Sequence, residues 1–352
     1  MTADAPTGEH RAGTQGTRPG ASITVVMPAY NAVGFLPLVL APLIEMEKAG
    51  EVLEILVVDD CSTDETPALA ARLGAQVLRT PKNGGPGAAR NLAAQHAAGE
   101  ILWFVDSDVI AWPGGPEKIR AAMAEAGVVA CFGSYDHEPA GQTWISRYKN
   151  LTHRYYHQEA RREASTFWAG CGAVRKDAFL AAGGFDVKTY TKPSIEDIEL
   201  GYRLRARGGR ILLVPDLLGK HLKVWTVPNL MHTDIFRRAI PWSRLMIARN
   251  EMTDDLNTST AERARALLAG ALVASPLAAL LVPGLAWLPL CLLAAAFAAN
   301  WRFFTFLRDN AGLPIAIAGL LYHQVYYVYS AAAFVWCVLE ARLPGRRIAD
   351  PR

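Results

Sequence analysis

Short β-branched runs and longer amphipathic stretches alternate along the first two thirds of the chain. The strand-like runs lie at residues 23–27, 54–59, 76–78 and 101–105, and the last of these is apolar at every position. Fully apolar runs of this length are typical of strands that are buried on both faces of a sheet. The alternation therefore predicts an α/β fold, with a mostly parallel sheet flanked by helices.

The pattern changes near residue 266, where charged side chains disappear. No Asp, Glu, Lys or Arg occurs at residues 266–301, and none occurs at residues 310–339. The first stretch is nearly twice the ~20 residues that cross a bilayer, and Pro283-Gly284 divides it. We expect a membrane hairpin and then a third apolar segment. The alternative is one buried core helix followed by an apolar loop.

These patterns divide the chain into five parts. We predict a disordered tail at 1–21, an α/β domain at 22–228, an interfacial helical linker at 229–265, membrane segments at 266–340 and a basic tail at 341–352. A multi-pass cell-membrane protein with its α/β domain in the cytoplasm follows from this division. A third full crossing would export the C-terminal arginines, against the positive-inside tendency. A re-entrant or interfacial last segment therefore stays open as an alternative.

Composition excludes several classes of protein. The chain has 36 basic and 33 acidic residues, a net charge of +3, so no strong global field favours nucleic acid as a partner. A hydrophobic share of 51% excludes an intrinsically disordered chain. The five cysteines show no C-x-x-C spacing, which excludes a zinc ribbon and disfavours a disulfide framework. Residues 1–21 contain no apolar run of signal-peptide length.

Acidic residues follow two of the predicted strands. Asp106 and Asp108 come directly after the apolar run 101–105, where open α/β sheets bind ligands. Their hard oxygen ligands suit Mg²⁺ or Mn²⁺, although an isolated D-x-D is more often an ordinary acidic turn. Asp59 and Asp60 end the second strand, where a carboxylate can accept a hydrogen bond from a pyrimidine or a ribose hydroxyl.

Two further features point to a nucleotide. Tyr30, just past the first strand, offers a ring on which a base can stack. Residues 84–91 form a glycine-rich helix start that carries Arg90, which could meet phosphate charge beside the helix N-terminus. The spacing is not the G-x-G-x-x-G of dinucleotide folds, so a nicotinamide cofactor is disfavoured. Capping by Ser62 or Asp64, and a plain surface role for Arg90, are the structural alternatives.

Taken in order, these motifs resemble those of family 2 glycosyltransferases with the GT-A fold. The resemblance covers about 200 residues and rests on an ordered set of motifs: Pro28-Ala29-Tyr30-Asn31, Asp59 to Asp64, Gly87 to Asn91, Asp106-Ser107-Asp108, Gly183 to Asp186, and Glu196-Asp197. It implies that residues 22–228 are a catalytic domain and that the donor is a nucleotide-diphosphate sugar. It further implies inversion at the anomeric carbon and a Mn²⁺ or Mg²⁺ ion.

The resemblance also implies roles for individual residues. The donor would be bound by Pro28, Tyr30, Asp59, Asp60, Arg90 and Asp106, and the metal by Asp108, Asp106 and His221. Asp197 would be the catalytic base, and Glu196 would orient the acceptor. Residues 194–197 also match a capping box that starts a helix, and a lone histidine such as His221 is usually structural.

The resemblance, together with the apolar C-terminal segments, therefore implies a hexosyltransferase-like enzyme that moves one sugar, with a UDP-sugar as the expected donor, to a membrane lipid or lipid-linked acceptor of the cell envelope. No Gln-x-x-Arg-Trp motif of processive synthases is present, so a single transfer is favoured over polymer export. The alternatives are a non-catalytic membrane protein that binds sugar nucleotides and, more remotely, a nucleotidyltransferase.

Overall fold

The computed structural model describes residues 20–252 and 254–343. Most of the predicted tails, 1–21 and 341–352, lies outside these residues. The strands are β1 (Ile23–Ala29), β2 (Glu54–Asp59), β3 (Gln76–Arg79), β4 (Ile101–Val105), β5 (Val109–Ala111), β6 (Val128–Tyr135), β7 (Cys171–Arg175) and β8 (Arg210–His221).

Thirteen α-helices occur in this part of the chain. Those before residue 210 are α1 (Leu36–Lys48), α2 (Thr66–Arg72), α3 (Gly85–His96), α4 (Gly115–Met123), α5 (Trp144–Glu159), α6 (Lys176–Ala181) and α7 (Glu196–Ala206). Those after it are α8 (Val227–His232), α9 (Ile240–Arg249), α10 (Thr260–Leu281), α11 (Leu288–Ala299), α12 (Trp301–Ala311) and α13 (Leu313–Arg342). A π-helix at Thr233–Ala239 connects α8 to α9.

The eight strands form one sheet in the order β3-β2-β1-β4-β7-β6-β8-β5. The predicted α/β class is confirmed, and four of the seven strand pairs are parallel, although the antiparallel strands β7 and β5 make the sheet mixed. The pairs among β3, β2, β1 and β4 are parallel, whereas β7 runs antiparallel to both β4 and β6. Residues 171–175 carried no strand signal in the sequence, because their small side chains are selected by close contacts rather than by alternation.

Gly172 shows this constraint. A Cβ atom there would lie 2.2 Å from the Trp168 carbonyl oxygen and 2.9 Å from the Phe167 ring.

Helices cover both faces of the sheet and form two apolar layers, one around α1 and α4 and the other around α3, α6 and α7. The buried strands thus hold their C-terminal residues in fixed positions at one edge.

The segment at 147–165 is dense in Tyr, His and Arg, a composition that predicts an exposed helix, but in the structure it is enclosed. Its helix α5 lies between the sheet and the C-terminal helices: Asn150 bonds to His221 at the end of β8, and Tyr148 bonds to His323 of α13. The Tyr, His and Arg residues of this segment make it polar in composition, but α5 has bonding partners in the sheet on one side and in the C-terminal helices on the other. α5 therefore joins the α/β domain to the apolar region.

Within the described residues, one helix is long and apolar enough to cross a membrane. This helix is α10, and the bent pair formed by residues 283–299 and α12, with a 67° angle between them, would be a second candidate if it were one span. α13, the predicted third segment, is not a candidate span. The structure supports the predicted membrane helices only to this extent.

Candidate active site

The C-terminal ends of three neighbouring strands deliver the predicted site residues to one edge of the sheet. β2, β1 and β4 are adjacent and parallel, so Asp59, Tyr30 and Asp106 leave the sheet on the same side. Tyr30 is about half exposed, whereas Asp59 is fully buried. This edge is the crevice in which open α/β sheets bind ligands.

Asp60 anchors the glycine-rich loop that starts α3. Its carboxylate accepts hydrogen bonds from the Gly84 amide at 3.0 Å, the Gly85 amide at 2.7 Å and the Thr80 hydroxyl at 2.7 Å. Gly85 has φ +80°, a left-handed conformation that favours glycine. Asp60 therefore fixes the position of the loop, and contact between this carboxylate and a base stays a prediction.

Arg90 lies on α3 and is almost completely buried. Its guanidinium forms an ion pair with Asp106 and lies 5.5 Å from the centre of the Phe185 ring. The plain surface role for Arg90 is therefore wrong. Burial, together with the charge of Asp108, raises the pKa of Asp106 although Arg90 opposes the shift.

Asp108 lies opposite His221, the last residue of β8. Asp108 Oδ2 is 3.5 Å from His221 Nε2, and His221 Nδ1 is 2.8 Å from Asn150 Oδ1. Burial favours the neutral form of Asp108, but the hydrogen bond to His221 and the charge of Lys223 outweigh it and lower its pKa. The His221 ring stacks on Tyr135, with 4.6 Å between ring centres and 6° between planes.

Glu196 and Asp197 open α7 on the other side of Arg90. Asp197 accepts hydrogen bonds from the amides of Ala169 at 3.1 Å and Ile198 at 2.9 Å. Burial and the neighbouring Asp197 charge raise the pKa of Glu196 to about 7. Burial also raises the pKa of Asp197, against these backbone donors and the charge of Arg90.

The predicted capping box at residues 194–197 is not formed. The Ser194 hydroxyl donates to the Arg237 carbonyl of the π-helix at 2.9 Å, and α7 has no side-chain cap. Glu196 instead reaches back to accept the Ser194 amide at 2.7 Å. Glu196 is therefore linked to the π-helix through Ser194.

No role was predicted from the sequence for the stripe of α5 that supports His221. Ser146, Asn150, His153 and His157 recur at helical spacing. The Asn150 side-chain amide donates to the Ser146 carbonyl at 3.1 Å, which leaves its oxygen facing His221. His153 packs on Tyr135, with 4.4 Å between ring centres. The i, i+4, i+7, i+11 spacing of polar residues was the available signal.

The structure thus places five charged side chains close enough for their charges to interact: Arg90, Asp106, Asp108, Glu196 and Asp197.

Residues 24–181 match the family model described as Glycosyl transferase family 2. This segment is similar to a family 2 glycosyltransferase domain, and it makes up less than half of the chain. It includes Tyr30, Asp60, Arg90 and both aspartates of the D-x-D motif, whereas Glu196, Asp197 and His221 follow it.

Curated relatives are similar over parts of their length. Over 90 residues the chain is 38% identical to poly(ribitol-phosphate) beta-N-acetylglucosaminyltransferase TarS of Staphylococcus aureus, which covers 24% of this chain and 16% of that protein. Over 258 residues it is 27% identical to an N-acetylglucosaminyltransferase of Sinorhizobium fredii, covering 68% of this chain and 61% of the relative. The chain therefore matches less than two thirds of the length of these relatives.

A solved structure supports the GT-A-like fold. The mannosyltransferase PcManGT from Pyrobaculum calidifontis, in complex with GDP-Man and Mn²⁺, superposes with a TM-score of 0.50. It is 19% identical, over 90% of this chain and 88% of that chain. At this identity the likeness shows the fold alone.

Asp106, Asp108 and His221 are the side chains predicted to hold a divalent ion. Within residues 20–252 and 254–343, no three His, Cys, Asp or Glu side chains are grouped to hold a metal by themselves. Asp108 and His221 face each other, while Asp106 is bonded to Arg90. Mg²⁺ and Mn²⁺ sites commonly use one or two side chains together with substrate phosphates, so this pair fits such an ion.

Proposed function

We propose that the protein is an inverting glycosyltransferase that moves one sugar from a nucleotide-diphosphate sugar, with UDP as the expected nucleotide, to a lipid or polyprenyl-type acceptor at a membrane. The observation that carries the proposal is the convergence of Arg90-Asp106, Asp108-His221 and Glu196-Asp197 at one edge of the sheet.

The donor would lie along this edge. Tyr30 offers an exposed ring to the base, and Pro28 and Asp59 shape the strand ends beside it. Asp108 and His221 would hold Mn²⁺ or Mg²⁺, which neutralises the charge of the leaving diphosphate when it is bound. Arg90 is held by Asp106, so it would contribute positive charge rather than a free bidentate clamp.

The acceptor would approach beside α7. Because the pKa of Glu196 is raised to about 7, Glu196 carries a proton in a large fraction of molecules near neutrality, while Asp197 is the better candidate for the ionised base. Asp197 would take the proton of an acceptor hydroxyl as its oxygen attacks the anomeric carbon from the face opposite the diphosphate. Glu196 would donate a hydrogen bond that orients the acceptor.

A membrane acceptor is proposed because of α10. Only 11% of its most apolar 18-residue stretch is buried, so it offers an apolar surface next to the α/β domain. A bilayer would concentrate a lipid substrate near the site. The cytoplasmic location of the domain is part of the same proposal.

The test is incubation of the purified full chain, in vesicles of native lipids, with a panel of labelled sugar nucleotides, followed by mass spectrometry of the extracted lipids. A single mass increment of one sugar on one lipid class supports the proposal. Calorimetric binding of UDP and Mn²⁺ without turnover would instead indicate a non-catalytic binding protein. Release of pyrophosphate from a nucleoside triphosphate would indicate a nucleotidyltransferase.

A further inference from the structure

Helices α10 and α11 form a hairpin at residues 260–299 whose two ends lie side by side. The Arg265 Nε donates to the carbonyl of Ala299 at 2.9 Å, which closes the base. The chain turns at the opposite end through a 3₁₀ segment at Pro283–Leu285. The two helices pack against each other, so the hairpin leaves the domain and returns to the same place.

The base of the hairpin is polar and is fixed to the domain. Glu262 is buried and accepts hydrogen bonds from the Tyr156 hydroxyl of α5 at 2.9 Å and the Tyr327 hydroxyl of α13 at 2.6 Å. Tyr327 also lies 3.1 Å from Asn300 Oδ1 at the end of α11. Because these bonds join three parts of the fold, the hairpin projects in one fixed direction.

The rest of the hairpin is uncharged and apolar. Leu280 and Leu281 near the tip are 78% and 72% exposed, and Leu290 on the returning helix is 72% exposed. The tip itself, residues 282–287, contains no charged residue. A hairpin that crossed a bilayer would place this tip among headgroups and water, where a charged or strongly polar turn is expected.

The length of the hairpin also falls short of a crossing. From Ala266 to Leu281 the outward helix has 16 residues, which rise about 24 Å at 1.5 Å each, against a hydrocarbon core of about 30 Å. The 12 residues of α11 rise about 18 Å. Neither leg therefore reaches the far headgroups when the charged base remains at the near ones.

The segments after the hairpin stay with the domain. Just before α13, the Asn310 carbonyl accepts a hydrogen bond from Arg147 of α5 at 3.3 Å. Near the end of α13, Glu340 forms an ion pair with Arg244 of α9 at 3.0 Å. The end of α12 that leads into α13 and the C-terminal end of α13 are thus bonded to segments that precede the hairpin, so α13 runs along the domain.

We propose that residues 266–299 form a re-entrant hairpin that dips into the bilayer from the side of the catalytic domain and does not cross it. The occupant of its apolar surface is lipid hydrocarbon. Arg263 and Arg302 lie at its base and Arg308 follows on α12; their side chains are 39%, 74% and 46% exposed, which suits anionic headgroups. This inference rests on the proposed membrane association and sets its topology.

The geometry has a consequence for the proposed reaction. α5 bonds to the hairpin base through Tyr156 and to His221 of the site through Asn150. The site is therefore held at a constant height above the headgroups. Arg342 at the end of α13 stays on the domain side, which removes the conflict with the positive-inside tendency for that residue.

The test is cysteine labelling of the full chain in sealed vesicles of neutral and anionic phospholipids. Cys61 and Cys291, the cysteines with exposed surface among the described residues, are first replaced by Ala. Gly284→Cys then probes the tip, where an added Cβ meets nothing within 4 Å. Arg302→Cys probes the base, and Glu65→Cys on the domain surface reports which molecules face outward. A membrane-impermeant maleimide is either added outside or trapped in the lumen.

We expect Gly284→Cys to resist both reagents until detergent is added, while Arg302→Cys and Glu65→Cys react from the same side as each other. Reaction of Gly284→Cys on the side opposite to Glu65→Cys would overturn the proposal in favour of two full spans. Reaction on the same side as Glu65→Cys would show a hairpin outside the bilayer. Protection that persists in detergent and coincides with a cross-linkable dimer would assign the surface to a second copy. Labelling needs no turnover, so it is read independently of glycosyl transfer.

Discussion

Asp197 is the residue on which the proposed chemistry depends most. Asp197→Asn keeps the side-chain size and removes the proton acceptor. We expect sugar transfer to fall about 10²–10⁴-fold, the usual contribution of a general base, with UDP affinity unchanged by calorimetry. Asp177→Asn, at an exposed position on α6, is the matched control. Near-normal turnover of Asp197→Asn would reject its role as base and point to an acceptor that is already ionised, such as a phosphate.

Asn150 acts on the site through another residue. Its oxygen faces His221 Nδ1 at 2.8 Å, which leaves Nε2 directed toward Asp108 as a ligand. Asn150→Leu should weaken Mn²⁺ binding about 10–100-fold by calorimetry, the range for partners that orient metal-ligating histidines. The exposed Asn229→Leu should leave it unchanged. Equal Mn²⁺ affinities for the two variants would refute this positioning role.

Glu196 should make stability depend on pH. Its folded-state pKa, about 7, lies above the ordinary glutamate value of 4.5. Between these values the folded chain holds a proton that the unfolded chain has released, so the free energy of unfolding falls as pH rises from about 4.5 to 7. The loss is at most roughly 3 to 4 kcal/mol, since each pKa unit corresponds to about 1.4 kcal/mol.

Thermal unfolding of wild type and Glu196→Gln across this pH range measures the effect. Gln keeps an oxygen for the Ser194 amide but does not titrate, so the variant should show a flatter pH profile. Superimposable profiles would contradict the raised pKa.

At the scale of elements, α7 must lie very close to the loop that carries Ala169. A Cβ atom on Gly201 would lie 2.5 Å from the Phe167 amide nitrogen and 2.9 Å from the Thr166 carbonyl carbon. These are backbone atoms, which cannot move as a flexible side chain can. We expect Gly201→Ala to lower the free energy of unfolding by about 2 kcal/mol or more.

Chemical denaturation measures that change. Gly34→Ala, where an added Cβ meets nothing within 4 Å, is the control and should change stability little. An equally small effect of Gly201→Ala would show that α7 can shift away from the loop at low cost.

Element prediction from the sequence succeeded where the signal was local. The runs at 23–27, 54–59, 76–78 and 101–105 correspond to β1 to β4, because buried parallel strands need continuous apolar residues. β6 was not identified from the sequence, and β7 was not recognised from it as an antiparallel strand between β4 and β6. Small residues of β7 such as Gly172 are required by close contacts with Trp168, and these contacts are made only in the folded chain.

At the scale of the whole molecule, the exposed arginines Arg302 and Arg308 of α12, which follows the hairpin, should respond to lipid charge. Each basic residue near an anionic surface contributes about 1 kcal/mol to the free energy of membrane binding. Arg302 and Arg308 also have acidic neighbours, which reduce their attraction to the lipid. The double variant Arg302→Gln with Arg308→Gln should therefore bind anionic vesicles about tenfold more weakly in flotation assays.

Binding to neutral vesicles should be unchanged, because the apolar hairpin is intact. Arg72→Gln, on the domain at α2, is the control and should behave as wild type on both. An equal loss on neutral and anionic vesicles would show that the arginines stabilise the fold rather than bind headgroups.

The sequence by itself determined which chemical groups the protein carries and roughly where they leave the sheet. Asp59, Asp60, Asp106 and Asp108 follow apolar strands, and this relation is set by neighbours in the chain. The charge-free run at 266–301 likewise fixed the apolar character of the hairpin, because composition is a local property.

Only the tertiary structure decided how these groups are paired. Arg90 binds Asp106 across 16 positions and Asn150 meets His221 across 71, and no local pattern encodes such contacts. The burial of α5, the mixed sheet and the closed base of the hairpin have the same origin. Each depends on which surfaces meet when the chain packs, and that choice is made by the summed contacts of distant segments rather than by any one of them.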